Sequence, residues 1–314
     1  MYTAYHGLRE NPFNLTPDYR YFFFSSRHRE ALNHLLYGIH ERKGFIVLTG
    51  GIGTGKTTIC RALLSSLEDS VDTALVFNSF LSDMELLGAI LHELGAKLEM
   101  PGGKKAHIDR LNKFLLDNFS AGRNTVLVID EAQNLSYSAL EQIRMLSNLE
   151  TEREKLIQIV LIGQPELEDI LASPSLKQLN DRITVRFALN ALSRDECREY
   201  ISHRLNAAGG GSIRFSGMAH RVIYRASRGN PRHINAICDR ALLVAYVKNR
   251  SLVDGRTVRN ALVDLRGVPA RRRSSLRRLL LVLIPVFLST AAGLILFYRN
   301  ELTEVFLNLK TYLT

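Results

Sequence analysis

The chain is 314 residues long, with 46% apolar and 23% charged side chains, three cysteines and a formal net charge of +10. That length suits about two domains, the composition is that of an ordinary globular protein, and widely spaced cysteines exclude a metal cluster and suit a reducing compartment. Half of the charge excess lies in residues 267–314, where seven Lys/Arg face two acids, so the basic balance points to a membrane surface before nucleic acid.

The opening MYTAYHGLRENPF has no apolar core and is not a cleaved secretory signal, so the body of the protein is expected in the cytosol. Aromatic and turn residues fill positions 1–30. The spacing of Ala31, Leu32, Leu35, Leu36 and Ile39 then predicts a helix over about 28–41. Phe45–Thr49 is a short buried-strand pattern, followed at once by glycines and a helix-compatible run, Ile59 to Leu67. Gly50-x-x-x-x-Gly55-Lys56-Thr57 matches the phosphate-binding loop in the strand–loop–helix context that the motif requires. Gly50, Gly51, Ile52, Gly53, Thr54, Gly55, Lys56, Thr57 and Thr58 are the expected nucleotide cradle, because glycines let backbone N–H groups turn inward at a helix N-terminus. Lys56 is expected to reach the β- and γ-phosphates of ATP, and the Thr57 hydroxyl to ligate Mg²⁺.

A second strand is expected at 73–77, ending at Asn78, then helices at about 83–96 and 106–120 separated by Pro101-Gly102-Gly103. Val126–Ile129 is a continuous apolar run closed by Asp130-Glu131. Such runs mark strands buried on both faces, as in a parallel sheet covered by helices. The acids at its end fall where a doubly wound sheet places ligands, with Asp130 orienting Mg²⁺ and Glu131 acting as general base. A helix near 136–149, a strand at 156–163 ending before Gln164-Pro165, and a strand at 183–189 complete an α/β nucleotide-binding domain, residues 1–192.

After Leu192 the pattern is helical, with no strand candidates. Ser193 and Glu196 form a capping box, and helices are expected at about 194–207, 216–227, 231–248 and 255–264, an all-α domain of residues 193–266. Residues 267–278 are a basic linker. Residues 279–298 run without a charge for long enough to cross a bilayer. Five arginines precede that span and Arg299 follows it, which orients the N-terminal side to the cytoplasm and leaves 299–314 as a short tail beyond the membrane. Ser289-x-x-x-Gly293 could be a helix-packing face within it.

The phosphate loop, the Asp130-Glu131 strand end, Gln164, an arginine before the last strand and Gly229-Asn-Pro-Arg232 together resemble an AAA+ ATPase, a P-loop doubly wound sheet with a C-terminal helical lid. Within that class, Tyr5-His-Gly-Leu8, Asn11-Pro-Phe13, Pro17-Asp18, His28-Arg-Glu-Ala-Leu32 and Tyr37-Gly38 resemble the ExeA-type branch, general secretion pathway protein A, over about residues 1–266. The resemblance implies an inner-membrane ATPase that couples cytosolic ATP hydrolysis to assembly of the type II secretion secretin through the peptidoglycan, with a GspB-type partner. It implies sensor 1 at Gln164, sensor 2 at Arg232, and an arginine finger at Arg182, with Arg186 as the rival. A finger acting in trans predicts at least a dimer, and a homo-oligomeric ring, a hexamer, is expected. Asn78 could be a polar switch on Glu131, and His28 and Arg29 could border the adenine. Family members usually carry a periplasmic peptidoglycan-binding domain after the span, so a chain ending here is either truncated or from a different branch. Two other readings stand beside this one: an anchored ATPase of exopolysaccharide export or pilus biogenesis, and a DNA-dependent ATPase of the transposition type. The modest charge of residues 1–266 disfavours nucleic acid as a partner, whereas the span implies membrane lipid.

Overall fold

The computed structural model describes residues 1–14, 19–77, 80–96, 102–151, 154–266 and 289–290. Five strands carry the architecture: β1 (Phe45–Gly50), β2 (Val71–Val76), β3 (Asn124–Ile129), β4 (Gln158–Gly163) and β5 (Val185–Leu189). They form one parallel sheet in the order β2-β3-β4-β1-β5. Helices α1 (Ser26–His40), α2 (Lys56–Ser66), α3 (Asp83–Glu93), α4 (Lys104–Ser120), α5 (Tyr137–Leu146) and α6 (Glu166–Leu171) connect and cover it.

The continuous apolar runs of the central strands have a simple physical cause. Successive side chains point to opposite faces of a sheet, so a run without alternation needs cover on both. Phe45, Val47, Leu127, Ile129, Ile159 and Leu161 pack into a core with α3, α4 and α5. Their neighbours Ile46, Leu48, Val126, Val128, Val160 and Ile162 pack on the other face against α1 and α2. The sheet order matters for function. It places the C-terminal ends of β3, β4 and β1 side by side, which carries Asp130, Gln164 and the phosphate loop to one edge.

Beyond Leu192 come α7 (Arg194–Ala207), α8 (Gly217–Ser227), α9 (Pro231–Val247) and α10 (Gly255–Leu265). The predicted capping box is present: Ser193 Oγ accepts from the Glu196 N–H, and a Glu196 carboxylate oxygen accepts from the Ser193 N–H. The sequence expectation of no strands here is corrected. Arg214–Phe215 (β6) pairs in parallel with Leu252–Val253 (β7), two-residue strands too short to leave a period in the sequence.

A second difference concerns the N-terminal segment, which the sequence reading groups with the α/β domain. Leu8, Phe13 and Tyr21 are buried in the apolar cluster of α7, α8 and α9 instead. Arg204 of α7 ties the segment down by donating to the Pro12 carbonyl and, at 3.0 Å, to that of Asn14. Residues 1–262 form one compact unit that holds the sheet, α7–α9 and α10 as far as Leu262; a second unit begins at Val263. Among the described residues no helix is long and apolar enough to cross a membrane. The linker 267–278 and the tail 299–314 lie outside the described residues, as does the expected span 279–298 except for Ser289 and Thr290.

Candidate nucleotide-binding site

The phosphate loop is shaped by two glycines in the left-handed region, Gly53 at φ 76° and Gly55 at φ 104°. Both are also sterically required. A Cβ on Gly55 would sit 2.6 Å from His28 Nε2, and one on Gly53 would sit 2.7 Å from Arg232 Cβ. The loop is therefore gripped from two sides, by α1 at Gly55 and by the start of α9 at Gly53, two positions with no room for a side chain.

His28 is buried, and its Nε2 lies 2.9 Å from the Thr54 carbonyl. A carbonyl only accepts, so Nε2 carries the proton and Nδ1 accepts from the Ser25 hydroxyl at 2.7 Å. Burial pushes the His28 pKa down from its ordinary value, against the Thr54 carbonyl and Glu196, which favours that neutral ring. His28 lines the cleft over the loop, whereas Arg29 is exposed and does not.

Lys56 opens α2 and is buried, with Nζ donating to the Gly50 and Gly51 carbonyls at 2.9 and 3.3 Å. Burial pushes its pKa down, while the nearby charges of Glu131, Asp130 and Glu166 push it back up. The Thr57 hydroxyl donates to Asp130 Oδ2 at 2.9 Å. A threonine hydroxyl and a carboxylate in contact beside the phosphate loop form the oxygen donor set that Mg²⁺ prefers, so the residues fit a Mg²⁺–triphosphate ligand.

Asp130 Oδ1 also accepts from the Glu131 N–H at 2.9 Å, which locks the turn after β3. Glu131 itself adopts φ 52°, an uncommon conformation that projects it from the strand end. Its Oε2 receives two amide donors, Gln133 Nε2 at 2.7 Å and Gln164 Nε2 at 3.2 Å. Burial works to raise the Glu131 pKa, but these donors and the charge of Lys56 outweigh it, so the carboxyl stays below its usual range and is ionised at neutral pH.

Two further residues hold the site together, and the sequence reading assigns neither a role. Asn230 caps α9, its Oδ1 accepting from the Arg232 and His233 N–H groups, while its Nδ2 donates to the Ile52 carbonyl of the loop at 2.6 Å. Only the capping half was readable, from an Asn-Pro helix start. Gln133 is the other, and no local motif marks it.

The cleft above the loop encloses about 700 Å³. Loop residues 52–58, Glu131, Gln164 and Arg232 line it together with the aromatic rings of Tyr21, Phe22, Phe23 and Tyr200. Of the expected catalytic residues, Lys56, Glu131 and Gln164 line the cleft and Arg182 does not. It precedes β5, at the opposite end of the strands, and its Nη1 donates to Ser147 Oγ at 2.8 Å. Arg186 lies outside the cleft too, paired with Glu168. Asn78 lies outside the described residues.

A family model described as an AAA domain matches residues 39–171. Over 268 residues the chain is 42% identical to general secretion pathway protein A of Aeromonas hydrophila, covering 85% of this chain and 49% of that protein. Its fold is similar to that of Drosophila ORC bound to DNA, with a TM-score of 0.62 at 18% identity over 84% of this chain and 65% of that one. It is also similar to the ORC2 protein of Aeropyrum pernix in ADPNP-ADP complexes, with a TM-score of 0.56 at 15% identity over 80% and 71% of the two chains. At those identities the two structures speak for the fold alone. The parallel sheet and its phosphate loop define a P-loop protein of the AAA+ class. Within that class the chain belongs to the family of general secretion pathway protein A. It spans about half the length of that relative.

Proposed function

We propose that the chain is an AAA+ ATPase anchored in the inner membrane, coupling cytosolic ATP hydrolysis to assembly of a type II secretion secretin. One observation carries the hydrolytic part: Thr57 at the start of α2, Asp130 and Glu131 after β3, and Gln164 after β4 come together at the phosphate loop. In this reading Lys56 would hold the phosphates, Thr57 and Asp130 would hold Mg²⁺, and Glu131 would take a proton from the attacking water. A metal held there would supply positive charge to offset that of the phosphates. Gln164 and Arg232, at the strand end and at the start of α9, are suited to sense the γ-phosphate, and α7–α10 then serve as the lid.

Arg182 is the proposed finger for a neighbouring copy, since it stands on the far side of the subunit from its own loop. In a homo-oligomeric ring, an Arg182→Ala chain should be nearly inactive alone but regain turnover when mixed with an inactive Lys56→Ala chain. Each variant supplies what the other lacks, and a mixture no more active than its components would remove Arg182 from the role.

Placement at the membrane rests on the uncharged stretch 279–298 and the five arginines before it. The secretin, the peptidoglycan and a GspB-type partner come from the family relationship. Cells whose only copy is Lys56→Ala should lack secretin multimers. Intact multimers in those cells would overturn the secretion role.

A further inference from the structure

We infer that Gln133 is a positioning residue for Glu131, setting the carboxylate from the end of β4 through a single carboxamide. This rests on the hydrolytic reading above.

Gln133 stands in the 3-10 turn Ala132–Asn134 that directly follows Glu131. Its Oε1 accepts from the Gln164 backbone N–H at 3.0 Å. A backbone N–H can only donate, so the oxygen end of the carboxamide is assigned without ambiguity. The nitrogen end must then face Glu131, and Nε2 donates to its Oε2 at 2.7 Å. One rigid amide plane thus spans from the β4 end to the proposed base.

The space for it is prepared. A Cβ on Gly163 would lie 3.0 Å from Gln133 Oε1 and 2.8 Å from Leu167 Cδ2, so glycine at the last position of β4 leaves the carboxamide room to lie across it. Gln164 then donates to the same Glu131 oxygen through its own Nε2 at 3.2 Å. Gln164 is therefore joined to Glu131 twice, directly by its side chain and indirectly by its backbone through Gln133. If the Gln164 side chain turns to a phosphate, the direct bond is lost but the backbone route remains. Gln133 is the tie that keeps Glu131 in place at that moment.

The test uses the full chain and two variants. Gln133→Met keeps the side chain's length and volume but neither donates nor accepts in the same way. Gln133→Glu keeps an acceptor for the Gln164 N–H but faces Glu131 with a second carboxylate. Both should bind a fluorescent ATP analogue within twofold of wild type, keep KM within about twofold and lose about tenfold in kcat, the split expected when only an orienting contact is removed. The decisive comparison is a double-mutant cycle. In a Glu131→Gln background Gln133→Met should cost less than twofold further, because its effect runs through the carboxylate it orients. A full tenfold loss in that background, or unchanged kcat in the single variants, would overturn the assignment. Absence of hydrolysis by the wild-type chain would instead count against the function on which the assignment rests, so the two failures are distinguishable.

Discussion

A Glu131→Gln chain should bind ATP and scarcely turn it over. The substitution is nearly isosteric, and a glutamine oxygen can still accept from Gln133 Nε2 and Gln164 Nε2, so the geometry around the strand end is retained. What is lost is a base. A positioned general base contributes about 10²–10⁴-fold in rate, and kcat should fall by that order while nucleotide affinity stays within a few-fold. Phosphate release and equilibrium binding, measured on the same preparation, separate the two quantities. A variant with wild-type kcat would remove Glu131 from the chemistry. A variant that loses binding and turnover together would make it a structural residue.

The second large effect belongs to Lys56. Its ammonium is buried and satisfies two carbonyls of its own loop, Gly50 and Gly51, as well as being the only cation of the loop itself. Lys56→Ala removes the charge proposed to meet the phosphates and the donor to the Gly50 carbonyl, while the Gly51 carbonyl keeps the Thr54 hydroxyl as a donor at 2.8 Å. Turnover should fall by at least ~10²–10³-fold, the scale seen when one preorganised donor to developing charge is deleted, and ATP affinity should fall with it. Circular dichroism should match wild type, because the cores on both sides of the sheet do not include this side chain. Loss of the far-UV signal would mean that the residue acts through folding.

These two residues were legible because their signals are local. A strand, four glycines and a lysine within a dozen positions can be read without knowing what lies across the sheet, and the same holds for apolar Val126–Ile129 closed by two acids. The parallel sheet was likewise readable, since Ile46 and Val47 face different cores and both must be apolar. The remainder depends on contacts between distant positions. Asn230 reaches the Ile52 carbonyl across 178 residues, and His28 reaches Thr54 from a separate helix, so neither bond leaves a periodic trace. Phe13 looks like part of an irregular N-terminal stretch, yet it is only 2% exposed because α7–α9 close over it. Gln133 is the clearest case. It sits two residues from Glu131 in sequence, but its meaning comes from the β4 end, which the strand order alone brings alongside.

The structure also sharpens the difference between what one subunit supplies and what it lacks. The loop, the Thr57–Asp130 pair, Glu131 and Gln164 come together within one chain, whereas Arg182 faces elsewhere. With Arg182 in its proposed role, the chain is expected to hold nucleotide as a monomer and to hydrolyse it only on assembly.

The most direct measurement is Mg²⁺-dependent phosphate release from ATP by the purified full chain, in parallel with its Lys56→Ala variant. Turnover by the wild-type chain that requires Mg²⁺ and vanishes in the variant is the predicted result. Equal phosphate release from both proteins, or none from a wild-type chain that has assembled, would contradict it.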